Sequence, residues 1–253
     1  MSRYDRAVTV FSPDGQLLQV QYAQEAVKRG FAAVGIRGPN VVVLAGEKRA
    51  LAKLQDDRME KKIYPLDEHL GLVFCGWAAD ARVMVSRAQI ECQSFRLMVE
   101  DLVTVEYIAR YIAGLKQKYT QGNGRRPFGI SCIIGGFDCD GTPHLFQTNP
   151  TGTYYEWQAC SAGRCDGAVL EYLEKNYSPQ AVATDAGTIK LAIRALLEVV
   201  QGRDQRKLEV AVLKRGKPIK ILDLHAIDAI IAEIGKDKEK DKELKKQNTP
   251  KIK

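Results

Sequence analysis

Residues 4–23 of the chain read YDRAVTVFSPDGQLLQVQYA, and two local patterns meet within this stretch. The central run Ser12-Pro13-Asp14-Gly15 is typical of a tight turn, because proline presets φ and glycine accepts a positive φ. Over residues 16–28 the apolar side chains recur at spacings of three and four, which predicts a short amphipathic helix ending at Gly30. The stretch therefore predicts an N-terminal segment, followed by a tight turn and then a helix.

Outward from this stretch, short apolar runs alternate with helical stripes along the rest of the chain. Apolar runs between turn residues predict strands at 41–45, 70–75, 130–134, 144–148, 152–157, 208–213 and 219–222. Helical periodicity predicts helices at 81–92, 108–119, 168–176, 189–200 and 227–234. Thr104 is the expected N-cap of the second of these helices. Runs of strands followed by runs of helices favour an α+β fold class, with antiparallel sheets between helix layers in one domain over residues 1–235.

The net charge of +7 is concentrated at the C-terminal end of the chain. Residues 236–253 hold eight Lys and four acidic residues, so this tail contributes +4 and the rest of the chain +3. A body so close to neutral is not expected to bind nucleic acid directly, because such proteins usually carry a basic face. The alternating charges of the tail leave two structures open, a solvated helix held by pairs of opposite charge or a flexible, disordered segment.

Several classes of protein are excluded by composition and spacing. No apolar run approaches the ~20 residues of a membrane helix, and the charged residues 1–6 predict no secretory leader. No two of the six cysteines have the C-x-x-C spacing of a zinc or redox site, and the three histidines lie far apart. We therefore expect no metal, no cofactor and no membrane contact, with reduced thiols in the cytosol or nucleus.

The whole of residues 4–23 closely resembles the N-terminal signature of the proteasome alpha subunits. Further stretches match the same family in order, at residues 26–30, 79–82, 119–121, 126–129, 150–153 and 170–177. The resemblance covers essentially the whole body of the chain. Residues 22–27, residues 117–129 and the Lys-rich tail are most similar to the alpha-4 class, also called alpha type-7.

The resemblance implies a four-layer αββα sandwich of the N-terminal-nucleophile-hydrolase type. It also implies a place in the alpha ring of the 20S proteasome core, which degrades proteins in an ATP- and ubiquitin-dependent way in cytoplasm and nucleus. The expected partners are neighbouring alpha subunits, beta-ring subunits, and regulatory-particle ATPases or other activators. The subunit would build the outer ring, gate substrate access and dock the regulatory particles.

The same resemblance implies that this subunit has no catalytic activity of its own. In the active beta relatives, an N-terminal threonine supplies both the nucleophilic hydroxyl and an amine that serves as base. Here Phe31 takes the nucleophile's place, has no hydroxyl, and follows other residues, so that its nitrogen is an amide. Glu47, Arg49 and Lys62 lie near the places of the family's catalytic acid, arginine and lysine. Without a nucleophile, we expect them to be structural or reused.

Two groups of residues are expected to act in the ring instead. By resemblance, residues 1–11 lie across the axial pore, and a gate cluster holds its open conformation. That cluster consists of Tyr4, Asp5, Arg6, Pro13 and Tyr22. The second group forms the pocket for the C-terminal tail of an activator, whose carboxylate docks on a lysine. That pocket consists of Lys62, Gly76 and Trp77.

The sequence departs from the family's usual pattern at four places. Gln21 stands where glutamate is usual, Trp77 stands where leucine is usual, and Phe31 with Ala32 replaces two hydroxyl residues. The run at residues 161–165 also differs from the usual small-residue pattern. These departures predict a diverged duplicate of the alpha-4 type.

Overall fold

The computed structural model describes residues 7–48, 54–56, 60–122, 125–200 and 208–247, with backbone alone for 237–247. The gate residues Tyr4, Asp5 and Arg6 therefore lie outside the described residues, and so does Arg49. The described helices are α1 Leu18–Lys28, α2 Ala78–Val99, α3 Val105–Gln121, α4 Asp166–Asn176, α5 Asp185–Leu197 and α6 Leu224–Gln247. Each helix predicted from periodicity corresponds to one of these elements.

The described strands form two antiparallel sheets of five strands each. They are β1 Ala33–Arg37, β2 Val41–Glu47, β3 Ile63–Pro65, β4 Leu70–Gly76, β5 Ile130–Phe137, β6 Pro143–Thr148, β7 Tyr154–Glu156, β8 Ala159–Ala162, β9 Leu208–Lys214 and β10 Lys217–Ile221. The first sheet has the order β10-β9-β2-β1-β8, and the second has the order β3-β4-β5-β6-β7.

The two sheets pack face to face between two layers of helices. Along β2, Val41, Val43 and Ala45 face the core beneath α4, α5 and α6, whereas Val42 and Leu44 face the other sheet. This alternation is the pleat of a strand whose two faces are both buried. A third core joins α2 and α3 to the outer face of the second sheet. The predicted α+β fold with four αββα layers is confirmed.

Two local features predicted from the sequence, a turn and a helix N-cap, are confirmed by their hydrogen bonds. The Gly15 N–H donates to the Ser12 carbonyl at 2.8 Å and closes the predicted turn. The Thr104 side chain accepts from the Tyr107 N–H and caps α3 as expected. The strands β1, β3 and β8 are not among those predicted from apolar runs, because runs of three to five residues have too little pattern to stand out.

The last helix continues into the charged tail. Helix α6 runs from Leu224 to Gln247 without a break, so the boundary predicted at residue 235 is a change of composition within one element. The sequence left two structures open for the tail, a helix or a disordered segment. The backbone is helical through Gln247.

Three backbone segments meet closely where the two sheets join, at Gly30, Gly76 and Gly163, which we call the glycine junction. A Cβ at Gly30 would lie 2.5 Å from the Gly76 nitrogen. A Cβ at Gly76, whose φ is +111°, would lie 2.1 Å from the Gly129 carbonyl oxygen. Gly163 has the same φ, and a Cβ there would lie 2.9 Å from the Phe31 carbonyl oxygen. Side chains are therefore excluded from this junction by backbone that cannot move aside.

We expect Gly76→Ala to cost about 3 kcal/mol or more of folding free energy, because it adds both a steric clash and a strained φ. The measurement is the thermal unfolding midpoint and soluble yield of the chain. Gly114→Ala is the matched control, since it lies in α3 with nothing within 4 Å of its added Cβ. The control should gain about 0.5–1 kcal/mol from helix propensity. Equal midpoints for the two variants would contradict the close approach at the junction.

Candidate functional site

A cavity of about 680 Å³ opens beside the glycine junction, between α1 and the ends of β2 and β4. The predicted pocket residues Lys62, Gly76 and Trp77 all line it, and the predicted gate residue Tyr22 lines it as well. Phe31, placed by resemblance at the nucleophile position, forms part of the same wall. One residue of the predicted gate cluster is thus brought to the cavity that the predicted pocket residues line.

Lys62 is held in this cavity by contacts along its whole length. Its backbone N–H donates to the Glu209 carboxylate of β9 at 2.7 Å. Burial raises the pKa of Glu209, although the N–H groups of Lys62 and Ile63 act in the opposite direction. The stem of Lys62 lies over Gly46, where a Cβ would be 2.6 Å from the Lys62 Cγ. The side chain is therefore positioned by strands of the opposite sheet.

The ammonium group of Lys62 lies among aromatic rings. Its Nζ is 4.7 Å from the centroid of the Phe74 ring and 5.9 Å from that of Phe31. Burial lowers the pKa of Lys62, and the nearby Cys75 and acidic side chains, among them Glu47, oppose this effect. Among the residues that the structure describes, the ammonium makes no ion pair. A buried charge without a counter-charge is costly, so this position favours an anionic ligand.

The carboxylate of Glu47 has a different partner. It is bound by the guanidinium of Arg164, which comes from the loop between β8 and α4. The Arg164 guanidinium also lies 5.5 Å from the centroid of the Phe31 ring. The sequence analysis noted residues 161–165 only as an unusual run. No local signal joins Glu47 to Arg164, because 117 residues separate them.

Gly76 and Trp77 have distinct roles at the edge of the cavity. Gly76 was expected to belong to the pocket, and its contacts at the glycine junction already require glycine. Trp77 is 62% exposed and stands on the rim. With Tyr22 and Arg126 it also lines a neighbouring cavity of about 220 Å³. Pro13 lies in the exposed turn before α1 and is not among the described residues that line either cavity.

Asp80 ties the first turn of α2 to the segment that leads into β5. The Arg126 guanidinium donates to its two oxygens at 2.6 Å each, and the Gly129 N–H donates at 3.0 Å. Burial opposes ionisation, yet these hydrogen bonds hold the pKa of Asp80 below its ordinary value. The contact fixes the floor of the smaller cavity beneath Trp77 and Tyr22.

No cluster of three or more His, Cys, Asp or Glu side chains among the described residues is arranged to hold a metal ion. Burial raises the pKa of the Cys75 thiol beside Lys62 to about 11, so this thiol is neutral at physiological pH. Within the described part of the chain, no helix combines the length and the apolar character needed to cross a membrane.

Two family models match the chain in succession. Residues 4–26 match the N-terminal signature of A-type proteasome subunits, and residues 27–213, well over half of the chain, match the general model of proteasome subunits. The chain belongs to the proteasome subunit family. It is an alpha-type member, a non-catalytic component of the alpha ring in the 20S core, which associates with other alpha and beta subunits in protein degradation.

Similar proteins support the alpha type of this proteasome subunit over nearly its full length. Proteasome subunit alpha type-7-1 of Drosophila melanogaster is 60% identical over 246 residues, which are 97% of this chain and 98% of that protein. Proteasome subunit alpha type-7-like of Macaca fascicularis is 58% identical, over 94% of this chain and 95% of its own. Proteasome subunit alpha type-8 of Mus musculus is 56% identical, over 98% and 99%. The resemblance to the alpha type-7 class is thereby confirmed.

We expect Asp80→Asn to destabilise this proteasome subunit by about 1–2 kcal/mol at neutral pH, because it removes a charged hydrogen-bond acceptor from Arg126. The pKa of Asp80 is depressed in the folded state, so its contribution is present above the unfolded value of about 3.9 and is lost as the pH falls through the folded value. The difference between wild type and variant should therefore shrink with acidification. Thermal unfolding midpoints between neutral and acidic pH measure it, with the exposed Asp228→Asn as control. A difference independent of pH would contradict this role.

Proposed function

We propose that this alpha subunit docks regulatory particles through the cavity around Lys62 and that docking controls the gate of the ring. The observation that carries the proposal is the buried Lys62 ammonium, which has aromatic neighbours and no ion pair among the described residues. The C-terminal carboxylate of a partner's flexible tail provides the missing counter-charge. The rings of Phe31, Phe74 and Trp77 favour an apolar residue next to that carboxylate.

The position of Tyr22 links the docking cavity to the proposed gate. Tyr22 lies on α1, is 48% exposed and lines both cavities, so a tail seated beside Lys62 comes close to it. The turn at Pro13 joins α1 to residues 1–11, which are proposed to lie across the pore. Displacement of α1 would thus be passed through the turn to the N-terminal segment. The gate cluster with Tyr4, Asp5 and Arg6 remains a prediction, since those residues are not described.

The departures from the usual family residues lie near this same site. The Gln21 amide donates to the Gln16 side chain at 2.7 Å, a contact that ties α1 to the turn without a charge. Phe31 and Trp77 add aromatic surface to the cavity. We propose that the chain is a diverged duplicate whose docking site is more apolar than usual. Absence of a second alpha-4-type gene from its genome would refute this.

The regulatory partners in this proposal are the ATPases of the regulatory particle or other activators, which deliver substrates for ATP- and ubiquitin-dependent degradation. The proposed location is cytoplasm and nucleus. The Lys-rich end of α6 has two proposed roles, nuclear import or contact with regulatory-particle subunits, besides that of a solvated segment. Truncation after Gly235 followed by imaging should reduce the nuclear signal if the tail supports import. An unchanged nuclear signal would end the import hypothesis.

We expect Lys62→Met to abolish the preference of the subunit for a carboxylate ligand. The probe is a short photo-cross-linking peptide with an apolar last residue, as the free acid and as the C-terminal amide, on core particles that contain this chain. Mass spectrometry reads cross-links to this chain alone. In wild type the acid should cross-link about tenfold more efficiently than the amide, since one charged hydrogen bond distinguishes them.

Lys61→Met is the matched control for this experiment. Lys61 precedes Lys62 directly and carries the same charge, yet its side chain is exposed to solvent. Its loss should leave the preference for the acid unchanged within about twofold, because exposed charges are strongly screened. Equal losses in the two variants would mean that the peptide responds to overall charge and that no docking site exists at Lys62.

A further inference from the structure

Three carboxylates act on the Lys62 ammonium, those of Glu47, Glu60 and Glu209. Glu209 accepts the backbone N–H of Lys62 from the opposite sheet. Glu47 lines the same cavity as Lys62, yet its ion pair is with Arg164. Glu60 is only partly buried at the cavity, whereas Glu47 and Glu209 are buried. The availability of Lys62 for a ligand therefore depends mainly on what holds these two buried acids.

Of the two buried acids, Glu47 is the one whose carboxylate is able to pair with Lys62 in place of its present partner. It is 7% exposed and ends the strand β2, directly after the Gly46 position over which the Lys62 stem lies. Arg164 binds its Oε1, whereas Oε2 is buried and has no hydrogen-bond partner among the described residues. The charge of Glu47 acts on Lys62 through the cavity, as the upward pull on the pKa of Lys62 indicates. In the part of the chain that the structure describes, this carboxylate pairs with Arg164 and not with the ammonium.

Arg164 is itself held firmly by the glycine junction. Its backbone N–H donates to the Gly30 carbonyl at 2.9 Å. The preceding Gly163 packs against the Phe31 backbone, where no Cβ fits. Its guanidinium, which binds Glu47, also lies against the Phe31 ring, 5.5 Å from the ring centroid. The backbone of Arg164 is therefore anchored by elements that Lys62 does not belong to, and its side chain is held by Glu47 and the Phe31 ring.

We infer that Arg164 is a positioning residue of the docking site: by binding Glu47 it keeps that carboxylate off Lys62 and leaves the ammonium open to the carboxylate of a partner's tail. This inference rests on the proposed docking at Lys62 and adds a residue that conditions it. Phe31 completes the arrangement, since its ring contacts both cations and lies in the cavity between them.

The physical reason is competition between an internal and an external carboxylate. A carboxylate on the same chain acts at an effective concentration of about a millimolar or more, because it is already confined near its partner. A docking tail must displace it, and its apparent affinity falls accordingly. Pairing Glu47 with Arg164 removes the internal competitor without removing its charge from the fold.

A double-mutant cycle on core particles that contain this chain tests the inference, with the acid and amide cross-linking peptides as probes. Arg164→Ala frees Glu47 and should reduce the preference for the acid about tenfold. Glu47→Gln should change the preference less than about threefold while Arg164 is present, and should restore it within about threefold when Arg164 is absent. If Arg164 acted only as a source of positive charge, Glu47→Gln would have the same effect with Arg164 present and with Arg164 absent. This additive result would overturn the inference.

Arg29→Ala is the matched control. Arg29 is an exposed cation that lines the cavity, and unlike Arg164 it forms no ion pair with a described acid. Its effect should be additive with Glu47→Gln. Coupling as large as that of Arg164 would assign the effect to cavity charge and overturn the inference. Assembly of each variant into core particles shows that the chain has folded.

The structure of the Arg164→Ala core particle provides a measurement that needs no peptide. We expect the Glu47 carboxylate to move within ion-pair distance of the Lys62 Nζ, and a carboxylate that stays in place would overturn the inference. The two proposals fail differently. If Lys62→Met keeps the preference for the acid, docking at Lys62 is wrong and both proposals fall. If Lys62→Met abolishes the preference and the cycle is additive, only the role of Arg164 is wrong.

Discussion

The close approach of backbone segments at the glycine junction is the constraint on which this structure depends. At Gly30, Gly76 and Gly163 the end of α1, the end of β4 and the loop after β8 meet without room for side chains. Because each segment leaves the junction in a set direction, Phe31 and Trp77 are delivered to the wall and the rim of one cavity. Arg164 reaches Glu47, which lines that cavity. The face-to-face sheets supply the depth of that cavity, since β2 and β9 position the stem and backbone of Lys62.

The charges in the cavity fit the docking role proposed for a fold related to a protease. An acid, an ammonium and a guanidinium are present, but an aromatic ring lies where resemblance places a nucleophile. Proton transfer and nucleophilic attack need a hydroxyl or an amine at that place, and a ring offers neither. The same ring contacts two cations and so adds to the binding of charge. The alpha type of the similar proteins agrees with this loss of catalysis.

Much of the fold could be predicted from the sequence, because long buried elements carry their own periodicity. The stripes that predicted α2 and α3 and the apolar run that predicted β2 lie in the cores where they were expected. Short edge elements such as β3 and β8 could not be found, since three or four residues show too little pattern, and β8 pairs with a strand far away in the chain. The change of composition at residue 235 marked no structural boundary, because a charged segment can continue a helix that an apolar segment begins.

The sequence by itself determined the family and the four layers, because motifs and apolar periods are local properties of the chain. Only the tertiary structure decided which charges pair. Glu47 was expected near Lys62 by resemblance, but its partner is Arg164, 117 residues further along. Ion pairs in a cavity are chosen by distance and desolvation, and both quantities exist only once the sheets have packed. For the same reason, only the folded chain shows that Lys62 is left without an ion-pair partner among the described residues.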